Sequence, residues 1–253
     1  MKILFIGDIY GKPGIKILTD HIKSLQSNYK PNIIIANAEN ASYGRGITKA
    51  IYKELMSLGI ACLTMGNWVW GNKEIFDFIE DSKMIRPINF VNAPGSGALE
   101  LQYNDKKILI INALGRTFMN GNLENPFTTV KEALASSDAD YKLVDFHAEA
   151  TSEKVALGHY LDGLCDAIIG THTHIPTADE RKLPNGTLYI TDVGMTGPKD
   201  GVIGVKKEIV IDRFIQGFAT PNEMAPGDSQ LNAVILDLNL KTIQRIHIES
   251  KSI

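Results

Sequence analysis

An α/β fold is what the sequence predicts, on three observations. Short apolar runs of strand type recur along the chain, segments of helical period separate them, and most runs end in a polar or glycine-bearing turn. Composition agrees: hydrophobic residues make up 44% and charged residues 22% of 253 positions, enough to bury a sizeable core. No linker, repeat or low-complexity stretch divides the chain, so 1–253 is read as a single domain.

The first strand is expected over 2–7, where Lys-Ile-Leu-Phe-Ile-Gly is stopped at once by Asp8. Pro13 suits a first helical turn, so a helix is expected over 13–27. The Ile-rich run 32–37 is the second strand, Thr48 is the candidate N-cap of a helix over 48–58, and 60–65 is the third strand. Segment 73–79 reads as helical. Further strands are expected over 107–112, 142–147, 167–170 and 187–192, with helices over 126–136 and 152–164, the last capped by Thr151 or Ser152. Runs 231–239 and 242–249, separated by Leu240 and Lys241, read as a terminal hairpin, and 220–228, with two prolines and a glycine, as a surface loop.

Charge argues against nucleic acid as the expected partner. The formal net charge is -3, acids and bases are mixed, and no run of Lys and Arg offers a nucleic-acid backbone an electrostatic hold. No apolar segment approaches the roughly 20 residues a bilayer demands, and the apolar start is too short for a signal peptide. The two cysteines, Cys62 and Cys165, sit in apolar runs and read as small core residues. The expectation is a cytoplasmic protein with no membrane association.

In open α/β sheets, residues just past the carboxyl ends of strands converge in one crevice. Here those positions hold Asp8, Glu39 and Asn40, Asn67, His147, and then His172 and His174. Singly each has a plain reading: Asp and Asn form turns, and an isolated imidazole is commonly structural. Jointly they are a set of nitrogen and oxygen donors without thiolates, which suits Mn, Fe or Zn and disfavours a structural cysteine-zinc site. His21, His159 and His247 lie away from these turns and read as structural. Asp192, after another strand, is placed to orient a ligand imidazole.

The motifs Gly7-Asp8-Ile-Tyr-Gly11, Ala38-Glu39-Asn40-Ala41, Gly44-Arg-Gly-Ile-Thr48, Gly66-Asn67, Asp145-Phe-His147-Ala-Glu149, Gly170-Thr-His-Thr-His174 and Thr191-Asp-Val-Gly-Met195 span nearly the whole chain. In them the sequence resembles the YmdB-like branch of the calcineurin-like metallophosphoesterases. The resemblance implies a four-layer αββα sandwich, a dinuclear centre of divalent or mixed-valence ions with Fe or Mn ahead of Zn, and phosphodiesterase activity with cyclic nucleotides as the substrate class. It places Asp8, Glu39, Asn40 and His174 around one ion and Glu39, Asn67, His147 and His172 around the other. Glu39 is then the bridge, an anion that offsets the repulsion between two close dications.

The resemblance also implies a histidine proton donor directly after the Gly-Asn pair, and here Trp68 stands in its place. An indole N–H donates hydrogen bonds but is no general acid. That leaves turnover restricted to esters with good leaving groups, rescue by another acid, or a noncatalytic metal-containing descendant that binds a nucleotide or docks a partner. Trp68 could also stack on a nucleobase or simply cap the cleft. Arg45, and Lys12 at a helix entry, are the candidate contacts for a substrate phosphate. The expected partner is a small phosphodiester or nucleotide, and assembly into a homo-oligomer is left open.

Overall fold

The computed structural model describes residues 1–218 and 220–250. In chain order its elements are β1 (Lys2–Ile6), α1 (Gly11–Tyr29), β2 (Ile33–Asn37), α2 (Lys49–Ser57), β3 (Cys62–Thr64), a 3-10 turn (Lys73–Asp77), β4 (Met84–Ile85), β5 (Ala98–Tyr103), β6 (Lys106–Leu114), α3 (Pro126–Ala135), β7 (Tyr141–His147), α4 (Thr151–Tyr160), β8 (Ala167–Thr171), β9 (Arg181–Lys182), β10 (Leu188–Ile190), β11 (Gly197–Pro198), α5 (Lys207–Gln216), β12 (Ser229–Asp237) and β13 (Thr242–Ser250).

Among the described residues the strands form two sheets. One has the order β11-β12-β1-β2-β3-β4 with β13 also on β12, the other β5-β6-β7-β8-β10-β9. β1 to β4 run parallel, as do β6, β7, β8 and β10, so the carboxyl ends of each parallel set share one edge. The expected terminal hairpin is present as β12 and β13, and it closes on β1.

The strands are buried on both faces, which is why they read as continuous apolar runs. Alternate residues Ile3, Phe5, Ile33 and Ile35 meet Ile108, Ile110, Leu143 and Ile169 of the facing sheet. On the outer face of the first sheet, Leu4, Ile6 and Ile34 pack on Ile15, Leu18, Ile22 and Leu25 of α1 and on Leu55 of α2. These α1 positions repeat at helical spacing, and each fully buried Ile or Leu contributes about 1.5–3 kcal/mol. On the far side Ile111, Val144, Phe146 and Tyr189 pack on Val130 and Leu134 of α3 and Leu157 of α4. The result is the four-layer αββα sandwich.

Four local expectations change. Segment 73–79 is a 3-10 turn rather than an α-helix, entered through Asn72, whose side chain accepts from Glu74 N. Strand 187–192 shortens to β10. α4 ends at Tyr160, because Gly163 adopts a positive φ of 88° and a tight turn returns Leu164 N to Leu161 O. Its N-cap is Ala150, without a side-chain cap, rather than Thr151 or Ser152. Thr48 does cap α2, accepting from Ile51 N at 3.2 Å. Among the described residues no helix is long and apolar enough to cross a membrane.

Candidate metal centre

The carboxyl ends of β1, β2 and β3 deliver Asp8, Glu39 with Asn40, and Asn67, while β7 ends in His147 and β8 leads into His172 and His174. The two sheets therefore contribute from opposite sides. A polar floor joins them beneath the donors. Asn37 Nδ2 donates to Asp145 Oδ2 and to Met65 O, both at 3.2 Å, and Asn112 Nδ2 donates to Asp145 O at 3.4 Å.

Each imidazole is held by one ring nitrogen and leaves the other facing inward. Thr171 donates its hydroxyl to Asp145 Oδ1 at 2.7 Å, so at 2.8 Å it accepts the Nδ1 proton of His147. His172 Nε2 lies 2.9 Å from a Glu149 carboxylate oxygen and donates to it. His174 Nδ1 donates to the carbonyl of Ile203 at 2.9 Å. The inward atoms are thereby fixed as lone pairs on His147 Nε2, His172 Nδ1 and His174 Nε2.

These lone pairs face other acceptors. His147 Nε2 lies 2.9 Å from Glu39 Oε1, 3.0 Å from His172 Nδ1 and 3.2 Å from Asn67 Oδ1. His174 Nε2 lies 3.1 Å from Asn40 Oδ1, and the Asn40 amide cannot be turned round, because its Nδ2 donates to Gly44 O at 2.9 Å. Asp8 Oδ1 is buried without any hydrogen-bond partner, while Oδ2 accepts from His172 N at 3.2 Å. Buried acceptors without donors are costly unless a cation lies among them. Donors about 2.1 Å from one ion and at right angles are roughly 3.0 Å apart, which is the spacing found. The residues fit a divalent metal.

Burial sets the protonation of the cluster. It pushes Asp8, Glu39 and Asp145 up to about 7, the Trp68 amide on Glu39 opposing the rise in that residue. It pulls His147 and His172 down to about 4 and lowers His174, so all three imidazoles are neutral near pH 7 and available as donors.

Two backbone features bring the donors this close. A Cβ on Gly66 would lie 2.3 Å from His147 and 2.4 Å from Glu39, so only glycine lets those side chains meet. His172 and His174 hold positive φ of 106° and 66°, a strained arrangement for L residues. The turn is pinned by Asp192, whose Oδ2 accepts from Thr173 N at 3.0 Å and from the buried Lys154 ammonium at 2.6 Å. Lys154 also donates to Thr171 O at 2.7 Å. Asp192 thus holds backbone rather than an imidazole.

All seven expected donors are brought together. Trp68 is at their edge, its amide donating to Glu39 Oε2 at 2.9 Å, and the exposed Arg45 guanidinium lies 4.3 Å from the centre of the indole ring. Lys12 lines a cleft of about 490 Å³ with Ile15, Ser42, Tyr43 and Ile51, and none of the donors is among its lining residues. Sequence reasoning missed the supporting roles of Glu149, Lys154, Thr171 and the Ile203 carbonyl. Only the place of Glu149, two residues past His147, carried a local signal.

Two facing sheets between helical layers, with carboxylates, amides and imidazoles converging where strands of both sheets end, define the calcineurin-like metallophosphoesterase class. Residues 4–250 match the family described as YmdB-like protein, and the chain belongs to it. The chain is 46% identical over 253 residues to a 2',3'-cyclic-nucleotide 2'-phosphodiesterase of Bacillus subtilis (strain 168), covering 98% of this chain and 96% of that one. Two crystal structures are close in shape. A hypothetical protein from Thermus thermophilus has a TM-score of 0.94 and 39% identity, covering 98% of this chain and 99% of its own. A novel phosphatase from Mycoplasma pneumoniae has a TM-score of 0.93 and 38% identity, covering 99% and 93%.

Proposed function

We propose that this phosphoesterase hydrolyses phosphodiesters, with cyclic nucleotides as the substrate class, on a dinuclear centre of divalent or mixed-valence Fe or Mn, Zn coming next. Asp8, Glu39, Asn40 and His174 would hold one ion, and Glu39, Asn67, His147 and His172 the other. The observation that carries the reading is the buried His174 Nε2 facing Asn40 Oδ1 at 3.1 Å with no proton between them. The orphaned Asp8 Oδ1 supports it, as does the name of the Bacillus subtilis relative.

When bound, the ions supply Lewis acidity toward phosphoryl oxygens and toward water. The chain's part is to orient. Thr171, Glu149 and Ile203 fix the three imidazoles, and the Trp68 amide fixes Glu39. Arg45, stacked on Trp68, presents positive charge at the edge of the site to a substrate phosphate. Lys12 is the second candidate contact for that phosphate, next to Gly11, whose N–H donates to Asn40 O at 3.0 Å.

Trp68 cannot protonate a departing alkoxide, and a general acid is worth roughly 10²–10⁴ in rate. Turnover of cyclic nucleotides is therefore impaired, whereas an ester whose leaving group needs no proton is spared. Assays of wild type and Trp68→His on cyclic nucleotides and on bis(p-nitrophenyl) phosphate, with Mn added and metal content measured, test both halves. A gain for the variant on cyclic nucleotides alone fits the reading; equal rates on both substrates remove the role of Trp68. Wild type that binds no metal overturns the centre itself.

The same reading makes 1–253 one domain, including residues 219 and 251–253 that lie outside the described ones, and places it in the cytoplasm acting on a small molecule. Both cysteines are buried and unpaired, which fits a reducing compartment.

A further inference from the structure

The helix α5, Lys207–Gln216, sits poorly in the fold. Val210 is its one buried residue, joining Tyr10, Met195 and Val205 in a small cluster. Ile209 packs half-buried against the same cluster, but the rest of its apolar side chains turn outward: Ile211, Phe214 and Ile215 are 50%, 84% and 76% exposed, and Phe218, just past the αL cap at Gly217, is 71% exposed. Ile211, Phe214 and Ile215 stand at i, i+3 and i+4 and form one helical face. Helices shorter than about 12–15 residues are marginal on propensity alone, so a ten-residue helix with this face outward lacks the packing that normally sustains one.

We propose that this face is the surface on which a second copy of the chain docks, α5 against α5 about a twofold axis. Three observations favour a like partner. The two phenylalanines alone present on the order of 300 Å² at roughly 150–250 Å² per aromatic, and the two isoleucines extend that to more than half of the about 800 Å² each partner of a standard interface buries. The charges of α5 cancel, with Lys207 and Arg213 against Glu208 and Asp212, so a copy meets no field of one sign, whereas an anionic lipid or nucleic-acid surface would need a basic rim. An antiparallel pair also sets the positive end of each helix dipole beside the negative end of the other. An isologous contact asks only that a patch complement itself, and an apolar, charge-balanced face does.

Sedimentation velocity on the full chain across micromolar concentrations tests this. Wild type is expected to sediment as a dimer, and Phe214→Glu/Ile215→Glu as a monomer with an unchanged far-ultraviolet dichroism spectrum. If the double variant loses its helical signal, Phe214→Ser alone is expected to weaken the dimer at least tenfold. A monomeric wild type overturns the proposal, including one that floats with anionic vesicles. So does a dimer that survives the substitutions unchanged.

Discussion

At the scale of single residues, the chemistry rests on which atom each side chain is denied. His174 must give its Nδ1 proton to Ile203, so its other nitrogen has only a lone pair to offer Asn40. Gly66 is the counterpart in space: Gly66→Ala would drive a methyl group into His147 and Glu39. Metal content by elemental analysis should fall to background for that variant while its dichroism spectrum stays native. Trp68→His should raise kcat on cyclic nucleotides by roughly 10²–10⁴ and leave bis(p-nitrophenyl) phosphate turnover within a few-fold, as steady-state assays would read. The donors were legible because each is a polar residue directly after an apolar run. Their supports were not: Thr171 reaches back to Asp145, and Ile203 acts through a backbone carbonyl 29 positions from His174, which no side-chain pattern encodes.

Among the elements, the strained turn after β8 depends on α4. Lys154 is buried on that helix between Thr171 O and Asp192, and its partner carboxylate holds Thr173 N and Gly194 N. Removing one partner from a buried ion pair costs about 3–5 kcal/mol, so Lys154→Met should lower unfolding free energy by that amount in urea titrations and weaken metal uptake with it. The parallel strands could be read from the sequence because burial on both faces makes them uniformly apolar. β5 escaped, since its half-exposed alternation, Ala-Leu-Glu-Leu-Gln-Tyr, resembles a loop in so short a run. α5 escaped for another reason: its apolar residues lie both on the core side, at Ile209 and Val210, and on the outward side, at Ile211, Phe214 and Ile215, so they do not form the single buried stripe that marks a surface helix.

For the molecule as a whole, a metal and the proton would compete for one cluster. Burial holds Asp8 and Glu39 up at about 7 in the metal-free chain, well above their ordinary values, so protonation of these carboxyls begins around neutral pH and grows as pH falls. A cation must displace those protons. Uptake of Mn should therefore release protons near pH 7, seen by calorimetry in buffers of differing ionisation enthalpy, and affinity should fall as pH drops through 7. The same uptake should raise the melting temperature, because the native chain binds the ion and the unfolded chain does not. Asp8, Glu39 and Asn67 hang from one sheet and His147, His172 and His174 from the other, so metal ions held there would act as rivets through two slabs. Without them a seam would start at the rim, where the buried carboxyls would have only protons to hold, while the apolar seal deeper between the slabs would keep both halves whole.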